Sequence, residues 1–344
     1  MHQVWITKAG APDVLELREL PTPAPGAGEV LIRVEASGIN FADILARQGL
    51  YPDAPPLPAV VGYEVGGTVE AVGEGVTELR EGDEVLALVR FGGYSSHVVA
   101  KEGQVFPRPE GMTAAVGAAI PVNYLTAFQS LVVMGGVRHA QELGGARMRV
   151  LVHGASGGVG TAAADVGQIY GVELFGTASP GKHDYVRERG YDHAISYRDH
   201  DWVAEVEELT GGRGVDLVLD AIGGKHWARS FDVLAPTGRL VVFGMSTMTG
   251  GGKLGMVKAA AQVPWLRFNP ISLMNHNHGA LGVNLGHLWG IPDEVARWSR
   301  KLLRYYEKGQ IRPHVDRAFP LAEAAEAHRY IEERKNVGKV VLEP

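Results

Sequence analysis

Apolar residues along this chain change their period partway through. From residue 1 to about 110 they come in short β-branched runs punctuated by glycine and proline, among them Glu29-Val-Leu-Ile-Arg-Val34, Gly66-Gly-Thr-Val-Glu-Ala-Val72 and Asp83-Glu-Val-Leu-Ala-Leu-Val89. These runs predict the strands of a compact β-rich domain. From about 123 to 288 apolar strands alternate with helical stretches, which implies βαβ units around a parallel sheet. Strands are expected at 149–153, 172–177, 215–219 and 239–243. After the first of them Val159, Ala162, Ala163, Val166 and Ile169 fall at helical spacing, and Val295, Trp298, Leu302 and Tyr305 predict a second helix near 293–307. The final Val337-Gly-Lys-Val-Val-Leu342 reads as a strand returning to the first domain. The expected fold class is α/β, with residues 1–122 and 289–344 forming one domain around an inserted domain, 123–288.

Composition adds constraints. The chain has 344 residues, 45% hydrophobic and 21% charged, with a formal charge of −6, which gives no reason to expect a nucleic-acid partner. The N-terminus lacks a basic region followed by an apolar stretch, and no uninterrupted apolar run approaches the roughly 20 residues of a membrane helix, so a cytoplasmic location is expected. Cysteine is absent, which excludes disulfides and thiolate metal sites.

The densest chemical signal is Val150-Leu-Val-His-Gly-Ala-Ser-Gly-Gly-Val-Gly160, a strand entering a glycine-rich turn and a helix. Glycines at 154, 157 and 160 suit a dinucleotide fold: a tight turn, close backbone approach to the pyrophosphate, and close helix-to-sheet packing. The pyrophosphate would rest on the helix N-terminus, against Ser156, Gly157, Gly158, Val159 and Gly160. The same stretch satisfies the G-x-S-x-G elbow of serine hydrolases at 154–158. Asp220 with His276 or His287 could be drafted for that chemistry, but no HGGG-like segment precedes Ser156, and the elbow does not call for Gly160.

Cofactor choice is read about 20 residues further on, where a carboxylate favours NAD and a basic residue NADP. Here the strand ends Phe175-Gly-Thr-Ala-Ser-Pro-Gly-Lys182, with no carboxylate, Lys182 in reach, and Thr177 and Ser179 offering hydroxyl donors. NADPH is expected over NADH, unless Lys182 is only a solvated surface lysine. Two later strand ends, Asp220-Ala-Ile-Gly-Gly224 and Val242-Phe-Gly-Met-Ser246, should complete the pocket with Ile222, Phe243, Gly244 and Met245. His276-Asn-His278, the one close histidine pair, reads as a polar loop without a third ligand.

Gly38-Ile-Asn-Phe-Ala-Asp43, Gly49-Leu-Tyr-Pro52, Gly62-Tyr-Glu64, Val122-Asn-Tyr-Leu-Thr-Ala127, His153-Gly-Ala-Ser-Gly-Gly-Val-Gly160 and Asn336-Val-Gly-Lys-Val340 resemble the zinc-free quinone oxidoreductases of the medium-chain dehydrogenase/reductase superfamily, above all its synaptic-vesicle membrane-protein branch. The resemblance covers nearly the whole chain. It implies a GroES-like β-rich catalytic domain and a Rossmann doubly wound parallel sheet. It implies that Asn40 and Tyr51 lie beside the nicotinamide, that Thr126 contacts its ring, that Tyr197 faces the 2′-phosphate, and that Val283, Asn284 and Asn336 approach the cofactor. Asp43 and Tyr63 fall near the substrate, Asp43 more as a structural hydrogen-bonder than a catalyst. Zinc-dependent relatives carry a cysteine at Asn40 and a histidine at Tyr63, and Glu64 alone cannot hold a catalytic zinc, so no metal is expected. Hydride transfer without a metal favours electrophilic acceptors such as quinones or conjugated enones. Relatives of this kind are commonly homodimers.

Some roles stay open on the sequence. Tyr51 could be a turn residue packing before Pro52, Asn40 a turn former, and Tyr63 a packing residue. The stretch 250–274 could be a lid, a peripheral membrane contact, or ordinary packing or a dimer contact. A second function class is an NADPH-binding membrane-associated or scaffold protein with little catalysis.

Overall fold

The computed structural model describes residues 1–248, 261, 263, 265 and 268–344. Most of the segment anticipated as a lid, membrane contact or packing face at 250–274 lies outside the described residues. The chain divides into two compact units, one of Met1–Leu125, Leu285–Gly309 and Pro313–Pro344, the other of Thr126–Asn284 and Gln310–Arg312.

In the first unit β1 (His2–Ile6) and β2 (Leu15–Glu19) pair as a hairpin beside a larger sheet. That sheet comprises β3 (Glu29–Gly38), β4 (Glu64–Val72), β5 (Glu84–Leu88), β6 (His97–Lys101), β7 (Val105–Pro107), β14 (Val315–Pro320) and β15 (Lys339–Glu343). Its order is β14-β15-β3-β4-β5-β7, with β6 also on β3. Val30, Ile32 and Val34 share one face of β3 and bury against Val65 and Val69 of β4, Val85 of β5 and Val98 of β6. This is the period-two alternation that the β-branched runs encode. The last strand joins β14 in parallel and β3 antiparallel, so the C-terminal segment completes the N-terminal sheet.

The second unit is a six-stranded, all-parallel sheet in the order β10-β9-β8-β11-β12-β13. Its strands are β8 (Arg149–His153), β9 (Glu173–Ala178), β10 (His193–Ser196), β11 (Val215–Asp220), β12 (Leu234–Val242) and β13 (Gly279–Gly282). The helix Gly158–Tyr170 buries Ala162, Ala163 and Val166, the stripe read from the sequence, and the helix near 293–307 runs from Pro292 to Glu307. Strand β12 starts five residues before its expected position, at Leu234, because Leu234 pairs Val215 before an irregular register step leads into the apolar run. Strands β10 and β13, four residues each at the two sheet edges, were not anticipated; runs that short carry little periodicity.

Residues 114–134, which include the helix Pro121–Phe128, form an apolar stretch with an 18-residue window of mean hydropathy 1.4. It is 78% buried inside the protein, as expected of a core helix.

Asp43 sits in the first turn of the helix Phe41–Arg47, which Asn40 caps. Its carboxylate accepts the backbone N–H of Asn40 at 2.7 Å and that of Gly62 at 3.1 Å, so it closes a helix end and a loop at once. Full burial nevertheless pushes its pKa up to about 7. Nearby, the Tyr94 hydroxyl and His328 Nε2 meet at 3.0 Å, and burial lowers the His328 pKa to about 3. The two groups act on stability with opposite sign. Between pH 4 and 7 the folded state holds a proton on Asp43 that the unfolded chain has released, so this group's contribution falls as pH rises. His328 is neutral when folded and takes up a proton when unfolded below about pH 6.5, so its contribution is lost as pH falls toward 3. Urea unfolding of Asp43→Asn across pH 4.5–7 is therefore expected to show stability rising with pH more steeply than in the parent, by up to about 1.4 kcal/mol per pH unit. Parallel profiles would count against a protonated Asp43.

Candidate functional site

Strand β8 ends at His153, and the chain turns at Gly154 with φ +72°, a left-handed backbone that suits glycine. Gly157 caps the following helix. At Gly160 a Cβ would stand 2.5 Å from the carbonyl oxygens of both Gly154 and Ala155, so the helix packs against the turn only because the side chain is missing. The first N–H groups of a helix have no partner within it and carry the positive end of its dipole. The Ser156–Gly160 segment therefore forms a backbone cradle suited to an anion.

The other cofactor candidates of this unit collect at the carboxyl ends of neighbouring strands. Thr177 lies level with His153 on β9, Ser179 caps the short turn Pro180–Lys182, and Tyr197 follows β10. Ile222 follows β11, Phe243, Gly244 and Met245 follow β12, and Val283 and Asn284 follow β13. In an open parallel sheet this edge is where ligands bind. Val283 is buried, whereas Asn284 is exposed.

Thr177 does not match its expected role as a donor. Burial raises the Asp220 pKa, but hydrogen bonds from His226 and Ser230 outweigh it and hold Asp220 down to about 2. Asp220 is thus an acceptor, and Ser230 donates its one hydroxyl proton to Asp220 Oδ2 at 2.7 Å. Ser230 must then accept from His153 Nε2, 3.3 Å away. Burial lowers the His153 pKa to about 3, so its Nδ1 carries no proton and accepts the Thr177 hydroxyl at 3.0 Å. The Thr177 proton is committed inward, and the side chain is buried. Ser179 and Lys182 remain as polar groups at that strand end.

The same network removes the partners a serine hydrolase would need. Asp220 binds His226 and Ser230, His276 Nδ1 is bonded to the Ser272 carbonyl, and His287, in the first unit, pairs with Asp53 at 2.8 Å. Asp220, His276 and His287, the groups drafted for Ser156, are each bound to other partners.

In the first unit Asn40 is held at both ends. Its Nδ2 donates to Glu64 Oε1 at 3.0 Å and its Oδ1 accepts Lys339 Nζ at 2.7 Å. Lys339 also forms an ion pair with Glu64, and Glu64 Oε2 accepts the backbone N–H of Val122 at 2.7 Å. All three side chains are buried. The amide cannot flip without placing its NH2 on an ammonium and its oxygen on a carboxylate, so its orientation is settled. Glu64 and Lys339 escaped the sequence reading as site residues. The one signal was their place beside residues already singled out, Tyr63 and Asn336.

Tyr51 and Tyr63 meet edge to face, centroids 6.4 Å apart, and Tyr63 also packs on Phe91 at 5.2 Å. Burial raises both phenol pKa values, so both stay neutral. Asp43 is buried, and its carboxylate accepts the backbone N–H groups of Asn40 and Gly62. Asn336 donates to the Gly338 carbonyl at 3.2 Å just before β15. Thr126 is buried on the helix Pro121–Phe128 and opens the second unit.

Comparison with known proteins fits this architecture. Residues 26–110 match the alcohol dehydrogenase GroES-like domain, and residues 189–342 match the zinc-binding dehydrogenase model. The chain is 40% identical over 344 residues to the synaptic vesicle membrane protein VAT-1 homolog of Rattus norvegicus, covering 98% of this chain and 83% of that protein. Among solved structures, the Escherichia coli quinone oxidoreductase complexed with NADPH aligns over all of both chains with a TM-score of 0.87 and 29% identity. The CurK enoyl reductase aligns over 99% of this chain and 98% of its own, with a TM-score of 0.84 and 30% identity. The vesicle-membrane names of the VAT-1 relatives overturn the expected cytoplasmic location. With this identity over nearly its full length, the chain belongs to the medium-chain dehydrogenase/reductase superfamily of oxidoreductases, on the branch that holds the VAT-1 homologues.

Proposed function

We propose that this protein is an NADPH-dependent reductase that passes hydride to quinones or conjugated enones without a catalytic metal. The observation that carries the reading is the Gly154–Gly160 turn, in which Gly154 takes a φ of +72°, Gly160 leaves no room for a Cβ, and a helix begins at the carboxyl edge of a parallel sheet. NADPH supplies the hydride, and the known structure of the E. coli quinone oxidoreductase with NADPH supports that choice. Ser156–Gly160 would hold its pyrophosphate and Ser179, Lys182 and Tyr197 its 2′-phosphate. Ile222, Phe243, Gly244, Met245, Val283, Asn284, Asn336 and Thr126 would line the rest.

As hydride reaches the acceptor, negative charge grows on its carbonyl oxygen, and a fixed donor there lowers the barrier. Asn40 suits this task, because Lys339 and Glu64 lock its amide and leave it one further N–H. Tyr51 is assigned as a second donor, with Tyr63 as the wall behind it. Because burial makes the Tyr51 phenol a weaker acid, it donates a hydrogen bond and the product oxygen takes its proton from water. The likeness to an enoyl reductase supports enones as acceptors alongside quinones. The proposed assembly is a homodimer, for which β13, at the sheet edge among the described residues, offers a pairing strand.

The VAT-1 relatives' vesicle-membrane names favour a second reading, an NADPH-binding membrane-associated or scaffold protein. Absorbance of NADPH and NADH, followed across ortho-quinones, para-quinones and conjugated enones, separates the two. Turnover with NADPH is expected; tight NADPH binding with no turnover would favour the scaffold, and no binding would remove both. Lys182→Ala is expected to cut the preference for NADPH over NADH by about ten- to a hundredfold, the worth of one charge-assisted hydrogen bond. Asn40→Ala keeps the Glu64–Lys339 pair and should lower kcat about a hundredfold, with NADPH affinity by fluorescence titration unchanged. A loss confined to NADPH affinity would argue against the donor role.

A further inference from the structure

Strands β8 and β11 are neighbours in the second sheet, and their last residues are His153 and Asp220. His226 lies in the first turn of the helix Lys225–Asp232 that follows β11. One ligand-capable atom from each of the three lies within 4.8 Å of the others. We propose that His153, Asp220 and His226 form a binding site for one divalent transition-metal ion of the zinc type, through His153 Nε2, Asp220 Oδ2 and His226 Nδ1. The site is separate from the position of catalytic zinc in relatives, which the resemblance places at Asn40 and Tyr63 in the other unit.

Two imidazoles and one carboxylate are a donor set that zinc takes in sites with an open fourth position. Ion-to-ligand distances of about 2.0–2.2 Å require the three ligand atoms, now within 4.8 Å of one another, to be drawn together by side-chain rotation. Each ligand is steadied from its far side, as metal ligands require. Thr177 Oγ1 sits on His153 Nδ1, the N–H groups of Ile222 and Gly223 hold Asp220 Oδ1 at 2.7 and 3.3 Å, and Trp202 stacks on His226 at 5.0 Å. The carboxylate is already ionised and the His153 ring already neutral. Ser230 Oγ, between Asp220 Oδ2 and His153 Nε2, stands beside the open position. The partly exposed His226 gives an ion a way in from solvent.

Binding needs no redox partner and no net loss of protons from neutral imidazoles. The ion replaces the 2.8 Å hydrogen bond that His226 Nδ1 donates to Asp220 Oδ2, and the His226 proton moves from Nδ1 to Nε2. His153 moves its proton from Nε2 to Nδ1 and donates to Thr177, whose hydroxyl turns from donor to acceptor.

Co2+ is the probe, because it shows visible d–d bands when held by nitrogen and oxygen ligands and quenches a neighbouring indole. Titrated into the tag-free, chelator-stripped full chain, it is expected to give d–d bands and partial tryptophan quenching that saturate at one equivalent. His226→Gln, with unchanged circular dichroism, is expected to weaken binding about a hundredfold or more. Should that variant misfold, His153→Gln serves the same purpose. Trp202→Phe should keep the bands and lose the quenching, and His276→Gln should change neither. An absence of bands with excess Co2+, bands that survive both ligand substitutions, or quenching that survives Trp202→Phe would each overturn the site. None of these readouts depends on reductase activity.

Discussion

The buried ion pair between Lys339 and Glu64 ties together four distant segments of the first unit. Lys339 opens the returning strand β15, Glu64 opens β4, Asn40 follows β3, and the Val122 N–H belongs to the start of a core helix. Closure requires Gly38, where a Cβ would lie 2.6 Å from Ala118 O, Glu64 Oε1 and Lys339 Cε. Removing one partner of such a pair leaves a charge without compensation in the interior, at a cost of about 3–5 kcal/mol. That makes the pair a specification of how the C-terminal segment returns, and the same contacts orient the Asn40 amide on which the proposed chemistry rests.

The second unit is organised around a different polar centre. Asp220 gathers the N–H groups of its own loop with one oxygen and His226 and Ser230 with the other, while its carbonyl accepts the Phe243 N–H after the next strand. One ionised carboxylate thereby shapes two of the loops at the ligand edge of the sheet. Through Ser230 and His153 it also dictates where the Thr177 proton points. Buried networks with every member satisfied impose direction as well as position.

Much of this architecture was legible before any coordinates. The helical stripe from Val159 to Ile169, the runs around Val30 and Val69, and the glycine spacing at 154, 157 and 160 each express a local rule of period or sterics. The short edge strands β10 and β13 escaped because four residues show no period, and β13 contains two glycines. The early start of β12 escaped because Pro236 and Gly238 look like a turn, yet the segment holds a register against Val215. Thr177 was misassigned as an outward donor because a hydroxyl at a strand end looks identical whether it faces a ligand or a neighbouring strand.

By itself the sequence determined the α/β class, the glycine-rich turn at 154–160, the lack of a carboxylate between Phe175 and Lys182, and the absence of cysteine. Each depends on residues close together in the chain or on one side chain's identity. Only the tertiary structure decided that Lys339 meets Glu64 and Asn40, that Thr177 turns inward, and that His153, Asp220 and His226 converge. Polar and charged groups choose partners by distance and desolvation once strands lie side by side, and those distances are set by sheet order, which no local pattern contains.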